Sequence, residues 1–108
     1  MTMLDLKTNQ KRRHRGMILQ FISDNHYNRS PLLDDTLVWG LLSNLCGDTI
    51  GQDYVCTLIE ELGDAGLLGY EKEHNRARGS YRLTRLRLTP EGRRLVEHYK
   101  EDPMVLIP

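Results

Sequence analysis

The residues of this chain best suited to chemistry are clustered arginines and lysines. Residues 7–29 contain six basic residues and one acidic residue, and residues 71–100 contain nine basic and four acidic residues. The segment between them, residues 30–70, contains seven acidic residues and no lysine or arginine. The formal net charge of zero therefore hides a basic, acidic, basic order. Clustered cations bind phosphate groups and give a salt-dependent affinity for nucleic acid that does not depend on sequence.

Other reactive residue types form no recognisable site. The four histidines are scattered, and no serine or cysteine nucleophile motif or glycine-rich phosphate loop occurs. Cys46 and Cys56 lack a second pair to complete a metal site, so we expect reduced, packed thiols. The sequence predicts no enzyme, cofactor or metal. Without a signal peptide or an apolar run of about 20 residues, we expect no membrane contact and a cytoplasmic location.

An amphipathic helix in the acidic segment is the element around which the chain is organised. Four apolar residues recur at helical spacing and share one face: Val55, Leu58, Ile59 and Leu62. The opposite face carries Asp53, Thr57, Glu60 and Asp64. Gly51 can serve as its N-cap, with Thr49 and Gln52 as an alternative cap. Gly66 is suited to a left-handed stop, after which Leu67 begins a strand.

Two helices are predicted before it. Residues 1–10 are polar without a period, so we expect a flexible arm, and helix one then runs from about Lys11 to Asn25. Ser30 followed by Pro31 predicts the start of helix two, which continues to about Leu45 with a wide apolar arc. Within that arc Trp39 is interpreted as a core residue in preference to an interface residue.

A hairpin and a last helix follow. Extended runs at 67–73 and 81–88 flank turn-forming residues, and the phase of the leucines predicts a bulge near Thr84 and Arg85. Thr89 and Pro90 predict the cap and first position of the last helix, whose inner face would be Leu95, Val96 and Tyr99, with Gly92 packed against helix one. Together these predicted helices and the hairpin form one domain over residues 11–102. The apolar tail, 103–108, is expected to dock on this domain or on a dimer partner.

The order helix, helix, helix, hairpin, helix resembles a winged helix-turn-helix domain, so the fold class expected is α+β and mainly helical. Residues 50–68 resemble the recognition helix of MarR- and ArsR-type regulators, and Leu88-Thr89-Pro90-Glu91-Gly92 is similar to the Leu-Thr-x-x-Gly opening of their helix after the wing. Over residues 12–106 the chain is similar to small winged-helix proteins of Mu-like prophages. Four segments carry that similarity: the basic start before Met17-Ile18-Leu19, Ser30-x-Leu32-Leu33-x-Asp35-x-Leu37, Ile50-x-x-Asp53-x-Val55 and Pro103-x-Val105.

The resemblance implies a DNA-binding transcriptional regulator of phage or bacterial origin. Three sets of residues are expected to contact double-stranded DNA: in the wing Lys72, Arg76, Arg78 and Arg82; in the recognition helix Gln52, Asp53, Tyr54 and Thr57; and in the N-terminal cluster Lys11, Arg12, Arg13 and Arg15. Because helix three is acidic, an alternative is a protein-interaction module whose acidic face meets a basic partner. The apolar arc of helix two and the apolar tail also predict a homodimer, built from helix one, the last helix and the tail.

Overall fold

The computed structural model describes residues 3–25, 33–47, 50–75 and 80–108. In these ranges the helices are α1 (Met3–Asp24), α2 (Asp35–Cys46), α3 (Gln52–Asp64) and α4 (Pro90–Val96). The strands β1 (Leu68–Asn75) and β2 (Ser80–Leu88) form one antiparallel hairpin between α3 and α4. The expected α+β, mainly helical class is confirmed. Nowhere in the described ranges is a helix long and apolar enough to cross a membrane.

Helix α1 begins at Met3, so the predicted start at about Lys11 is wrong by more than two turns. Residues 3–10, assigned to the arm from sequence, are helical. No glycine or proline occurs before Gly16, and most of these residues are good helix formers. Extending a helix that is already anchored costs little, because each added residue gains a backbone hydrogen bond. The lack of an apolar period concealed this extension.

Helix α2 begins at Asp35 and is capped by Asp34, which corrects the predicted start at Ser30. The carboxylate of Asp34 accepts a hydrogen bond of 2.9 Å from the backbone N–H of Leu37. Ser30 and Pro31 lie outside the described residues. Asp34 is also held by Arg82 of β2, a contact that is distant in sequence and therefore not visible in a local capping pattern.

Helix α3 agrees with its prediction. Gly51 is the N-cap, and the side chains of Val55, Leu58, Ile59 and Leu62 are all fully buried. Gly66 has the expected left-handed backbone, with φ of 77°. The alternative cap residue Thr49 lies outside the described ranges. Local signals were sufficient here because the helix has one apolar face and glycine stops on both sides.

The hairpin contains the predicted bulge. Gly69 pairs with Arg87 and Glu71 pairs with Thr84, so β2 has one more residue than β1 between these two pairs. Arg85 is in that interval and has φ of 53°, the left-handed region that a bulge residue can adopt. The backbone N–H of Leu86 then donates to the carbonyl of Leu33 at 3.0 Å, which ties β2 to the segment before α2.

Helix α4 has the predicted Thr89 cap, which accepts from the N–H of Gly92 at 3.1 Å. Two other predictions for this region are wrong. Gly92 packs against the carbonyl of Leu67, where a β-carbon would overlap, and this contact replaces the expected one with helix one. Tyr99 was predicted on the inner face of the helix, but the helix ends at Val96 and the left-handed His98 (φ 64°) turns the chain outward. Tyr99 is therefore 79% exposed.

The core lies between the four helices and the inner side of the hairpin, and the C-terminal tail closes it. Val105 is buried with the core leucines, and the N–H of Leu106 donates to the carbonyl of Arg12 at 3.0 Å. The tail therefore lies on α1 of its own domain. Trp39 is not a core residue: its ring is 36% exposed, and its indole N–H donates to the carbonyl of Ile50 at 2.8 Å. That bond accounts for the ring's position at the junction of α2 and α3.

Candidate nucleic-acid interface

In the N-terminal basic cluster some side chains are exposed, and others are bonded to residues of the protein itself. Lys11 and Arg13 are exposed on α1. Arg12 is half-buried and donates to the side chain of Asn9 at 3.4 Å. Arg15 is only 13% exposed and forms an ion pair with Glu61 of α3. Only Lys11 and Arg13 of this cluster are therefore open to a phosphate in this arrangement.

Arg15 connects three elements. Besides the ion pair with Glu61, its guanidinium donates to the carbonyl of Met104 at 3.1 Å, so α1, α3 and the tail meet at one side chain. A guanidinium suits this position because it has several donors in a fixed plane. This structural use was not predicted from sequence, where Arg15 is one of four neighbouring cations. Its partners are 46 and 89 residues away.

The four residues proposed at the start of the recognition helix differ in their exposure and in their contacts. Asp53 and Thr57 are exposed, although the Thr57 hydroxyl donates to the carbonyl of Asp53 at 3.0 Å. Gln52 donates to the hydroxyl of Thr36 at 3.1 Å. Tyr54 points back to α1, where its hydroxyl lies 2.7 Å from Nδ1 of His14. Asp53 and Thr57 are the members that face solvent.

The contact between His14 and Tyr54 affects both groups. Burial lowers the pKa of His14 below its usual value, so its imidazole is neutral near pH 7. Burial raises the pKa of Tyr54, with nearby Arg15 opposing and Glu61 adding to the shift, so the hydroxyl keeps its proton. A neutral imidazole and a protonated phenol form a good hydrogen bond. The pair joins the middle of α1 to the first turn of α3.

The outward side of α3 is acidic. Asp53 and Asp64 are exposed and Glu60 is half-buried, on the side of the helix opposite the buried stripe. Lys72 of β1 approaches this side, with its ammonium 3.8 Å from the carboxylate of Glu60. Carboxylates on this side would repel the phosphates of a duplex entering along α3.

The hairpin presents several exposed cations of the second basic segment. Lys72 is 51% exposed, and Arg85 is 60% exposed with an ion pair of 3.1 Å to Glu71. Arg87 is also exposed and donates to the carbonyl of Arg85 at 3.1 Å. Arg82 is different, because it is paired with the buried carboxylate of Asp34 and holds the hairpin against the start of α2. Arg76 and Arg78 lie outside the described residues.

Sequence reasoning gave too little weight to four hairpin residues. The sequence places Arg85 and Arg87 in the basic cluster that lines the wing strands, but the expected contact set does not include them; they are the hairpin arginines best exposed in the described ranges. His74 and Tyr81 are directly opposite each other in the strand register, with ring centroids 5.7 Å apart. An exposed aromatic residue beside arginine in a strand is the signal that could have identified Tyr81.

No known protein-family model matches the sequence, and no curated protein is significantly similar to it.

Among the described side chains, no three histidine, cysteine, aspartate or glutamate residues are grouped so that they could hold a metal ion. Cys46 and Cys56 are free thiols, and the thiol of Cys56 donates to the carboxylate of Asp35 at 3.1 Å.

Proposed function

We propose that the protein is a winged-helix DNA-binding protein of the regulator type, acting in the cytoplasm, with the β1–β2 hairpin as its wing. The observation that carries this proposal is the exposure of Arg85 and Arg87 on a hairpin that follows three packed helices. A hairpin of this kind can lie along the DNA backbone while the helices set its orientation. Arg76 and Arg78 in its connecting segment add positive charge to the same element.

Phosphate contacts supply most of the proposed affinity. Exposed cations on β1, β2 and α1 can each neutralise a phosphate, whereas the outward side of α3 offers carboxylates and few groups that donate to bases. Thr57 and Asp53 are its exposed polar groups near the N-terminus of α3. The proposed binding therefore depends strongly on salt and weakly on base sequence.

A second candidate is a protein-interaction module. It is favoured by one observation, the acidic outward side of α3 formed by Asp53, Glu60 and Asp64. A basic surface on another protein would complement these carboxylates. In this case the hairpin cations would have no phosphate to neutralise, and binding to duplex DNA at low salt would be negligible.

The proposal includes a homodimer, and its interface is now assigned to α2 in place of helix one, the last helix and the tail. The tail is used within its own domain, but Leu37 and Leu45 of α2 are 47% and 61% exposed. These two residues and Leu41 recur every fourth position and share one side of the helix. Replacing Leu37 and Leu45 by serine should reduce the mass found by light scattering at micromolar concentration, and a full-length protein that is already monomeric would contradict the dimer.

Salt titration of a hairpin variant tests the DNA proposal. Affinity for a mixed-sequence duplex is measured at several salt concentrations for the wild type and for Arg85→Ala/Arg87→Ala. Loss of two phosphate contacts should reduce the slope of log affinity against log salt by about 2. Arg76→Ala/Arg78→Ala is expected to reduce it by about the same amount.

Arg93→Ala/Arg94→Ala is the matched control, since it removes the same charge from exposed positions on α4. Its slope should stay close to the wild-type value. An equal loss in the control would show that net charge alone matters. Absence of binding by the wild type to DNA of any form at low salt would refute the DNA proposal and favour the acidic-face alternative.

A further inference from the structure

The hairpin carries an aromatic pair beyond the protein core. His74 and Tyr81 are directly opposite each other in the register, one pair before the strands reach the connecting segment. Their rings meet edge to face, with centroids 5.7 Å apart and planes inclined at 73°. The Tyr81 ring is 58% exposed. A large part of its apolar surface is therefore open to solvent.

The position of this pair on the hairpin relates it to the cations. The next pair on the same side of the strands is Lys72 with Leu83, because side chains two residues apart in a strand share a side. Leu83 is buried against the core, whereas Lys72 is half exposed and reaches toward α3. One side of the hairpin thus runs from the core, past an ammonium group, to an exposed aromatic ring.

An exposed aromatic ring near a cation has the composition of a stacking platform. Lys72, in the next pair toward the core on the same side of the hairpin, supplies that cation. Proteins that bind single-stranded nucleic acid combine aromatic rings, on which bases stack, with cations that contact the backbone. Core packing does not require Tyr81, because it is 58% exposed and does not belong to the buried core.

We propose that this side of the hairpin binds an unpaired base against Tyr81, so that the substrate class is DNA with a single-stranded segment. Inside a duplex the faces of the bases are covered by their neighbours, whereas an unpaired base offers a free face to the ring. The acidic outward side of α3 also disfavours entry of that helix into a duplex groove. The inference rests on the proposed DNA binding and specifies which form of DNA is preferred.

The test compares three DNAs: a single strand, a duplex with a single-stranded tail and a blunt duplex. The variants are Tyr81→Leu, which removes the ring but keeps an apolar side chain, and Tyr81→Phe, which keeps the ring. Wild type and Tyr81→Phe should bind the single strand and the tailed duplex more tightly than the blunt duplex. Tyr81→Leu should lose about 10-fold on both DNAs that contain unpaired bases and less than about 2-fold on the blunt duplex.

Tyr99→Ala is the control, because Tyr99 is more exposed than Tyr81 but lies after α4. It should bind all three DNAs like the wild type. A 2-aminopurine placed in the tail gives a separate readout, since stacking on Tyr81 should quench its fluorescence in the wild type and in Tyr81→Phe but not in Tyr81→Leu. This quenching would not occur if Tyr81 served only to stabilise the strand pairing.

Two results would overturn the inference and leave the proposed function standing. One is equal, arginine-dependent affinity for blunt and tailed duplex. The other is a Tyr81→Leu variant that binds and quenches like the wild type. Failure of the wild type to bind any of the three DNAs would refute the proposed function itself, and the inference with it.

Discussion

Arg15 on α1 and Arg85 on the hairpin have opposite roles. On α1, Arg15 is mostly buried and its guanidinium is engaged by Glu61 and by the tail carbonyl of Met104. On the hairpin, Arg85 is 60% exposed and touches only nearby hairpin groups in its described contacts. Arg15 therefore joins elements, as Arg82 of the hairpin also does, while Arg85 and Arg87 of the hairpin stay in contact with solvent. Equal charge density in a sequence does not imply equal availability for a partner.

The largest expected effect is on stability, and it comes from a glycine substitution where the tail packs on α1. A β-carbon on Gly16 of α1 would overlap the carbonyl oxygen of Leu106, so Gly16→Ala must displace the tail and expose Val105. Exposing one buried valine and losing its neighbours' contacts should lower the free energy of unfolding by about 2 kcal/mol, even after the gain in helix propensity. Urea unfolding measures this change.

Gly40→Ala in α2 is the matched control. No described atom lies within 4 Å of a β-carbon at that position, so the substitution should only raise helix propensity and stabilise the protein by up to about 1 kcal/mol. If the tail is independent of the hairpin, folded Gly16→Ala should bind DNA with an unchanged salt slope. Equal stability of the two alanine variants would contradict the packing of the tail on α1.

Replacing the two kinds of arginine should give the next largest difference. Arg15→Ala leaves a partly buried Glu61 carboxylate and a tail carbonyl without their donor, at a cost of about 2 kcal/mol in the free energy of unfolding. Arg85→Ala removes an exposed ion pair and should cost less than about 0.5 kcal/mol. Chemical denaturation of both variants provides the comparison.

The double variant Arg15→Ala/Glu61→Ala sharpens the result. Removing both partners should recover part of the loss, because no unpaired carboxylate remains. Additive losses would mean that the ion pair itself contributes no coupling, and the role of Arg15 would then be limited to its bond with the tail.

The sequence was sufficient where each element carries its own local signals. Helix α3 has a single apolar stripe between two glycine stops, Thr89 with Pro90 marks the start of α4, and the leucine phase in β2 reveals the bulge at Arg85. The order of helices and strands could be derived in this way. Short-range capping, periodicity and turn chemistry determine these features, and all three are visible within a few residues.

Contacts between distant residues could not be derived in the same way. Asp34 is the cap of α2 and pairs with Arg82, 48 residues later in the chain. His14 meets Tyr54 across 40 residues, which turned a predicted base-contact side chain toward α1. Residue types alone do not specify such partners. The sequence therefore predicts the candidate site as sets of neighbouring residues, and the structure shows which of them bond within the protein and which are exposed.

Neutralising the acidic side of α3 should have a smaller effect, of opposite sign to that of the hairpin variants. Glu60→Gln/Asp64→Asn removes two negative charges from the outward side and should strengthen duplex binding by about 3-fold at low salt, with a smaller gain at higher salt. Glu61 is excluded from this variant because it holds Arg15. Weaker DNA binding by the variant would show that these carboxylates make a favourable contact and would support a protein partner for α3.

The smallest expected effect is a pH dependence confined to the α1–α3 contact. Burial lowers the pKa of His14 below the value of about 6.5 that it has in an unfolded chain. The unfolded state therefore takes up a proton first as pH falls, so the stability contributed by the neutral His14 is complete above about pH 6.5 and decreases below it. His14→Gln cannot titrate but can still accept from the hydroxyl of Tyr54. The difference in unfolding free energy between wild type and His14→Gln, measured by urea unfolding from pH 7.5 to pH 5, should accordingly shift against the wild type as pH falls. A difference that stays constant over this range would show that His14 takes up a proton equally in the folded and unfolded states.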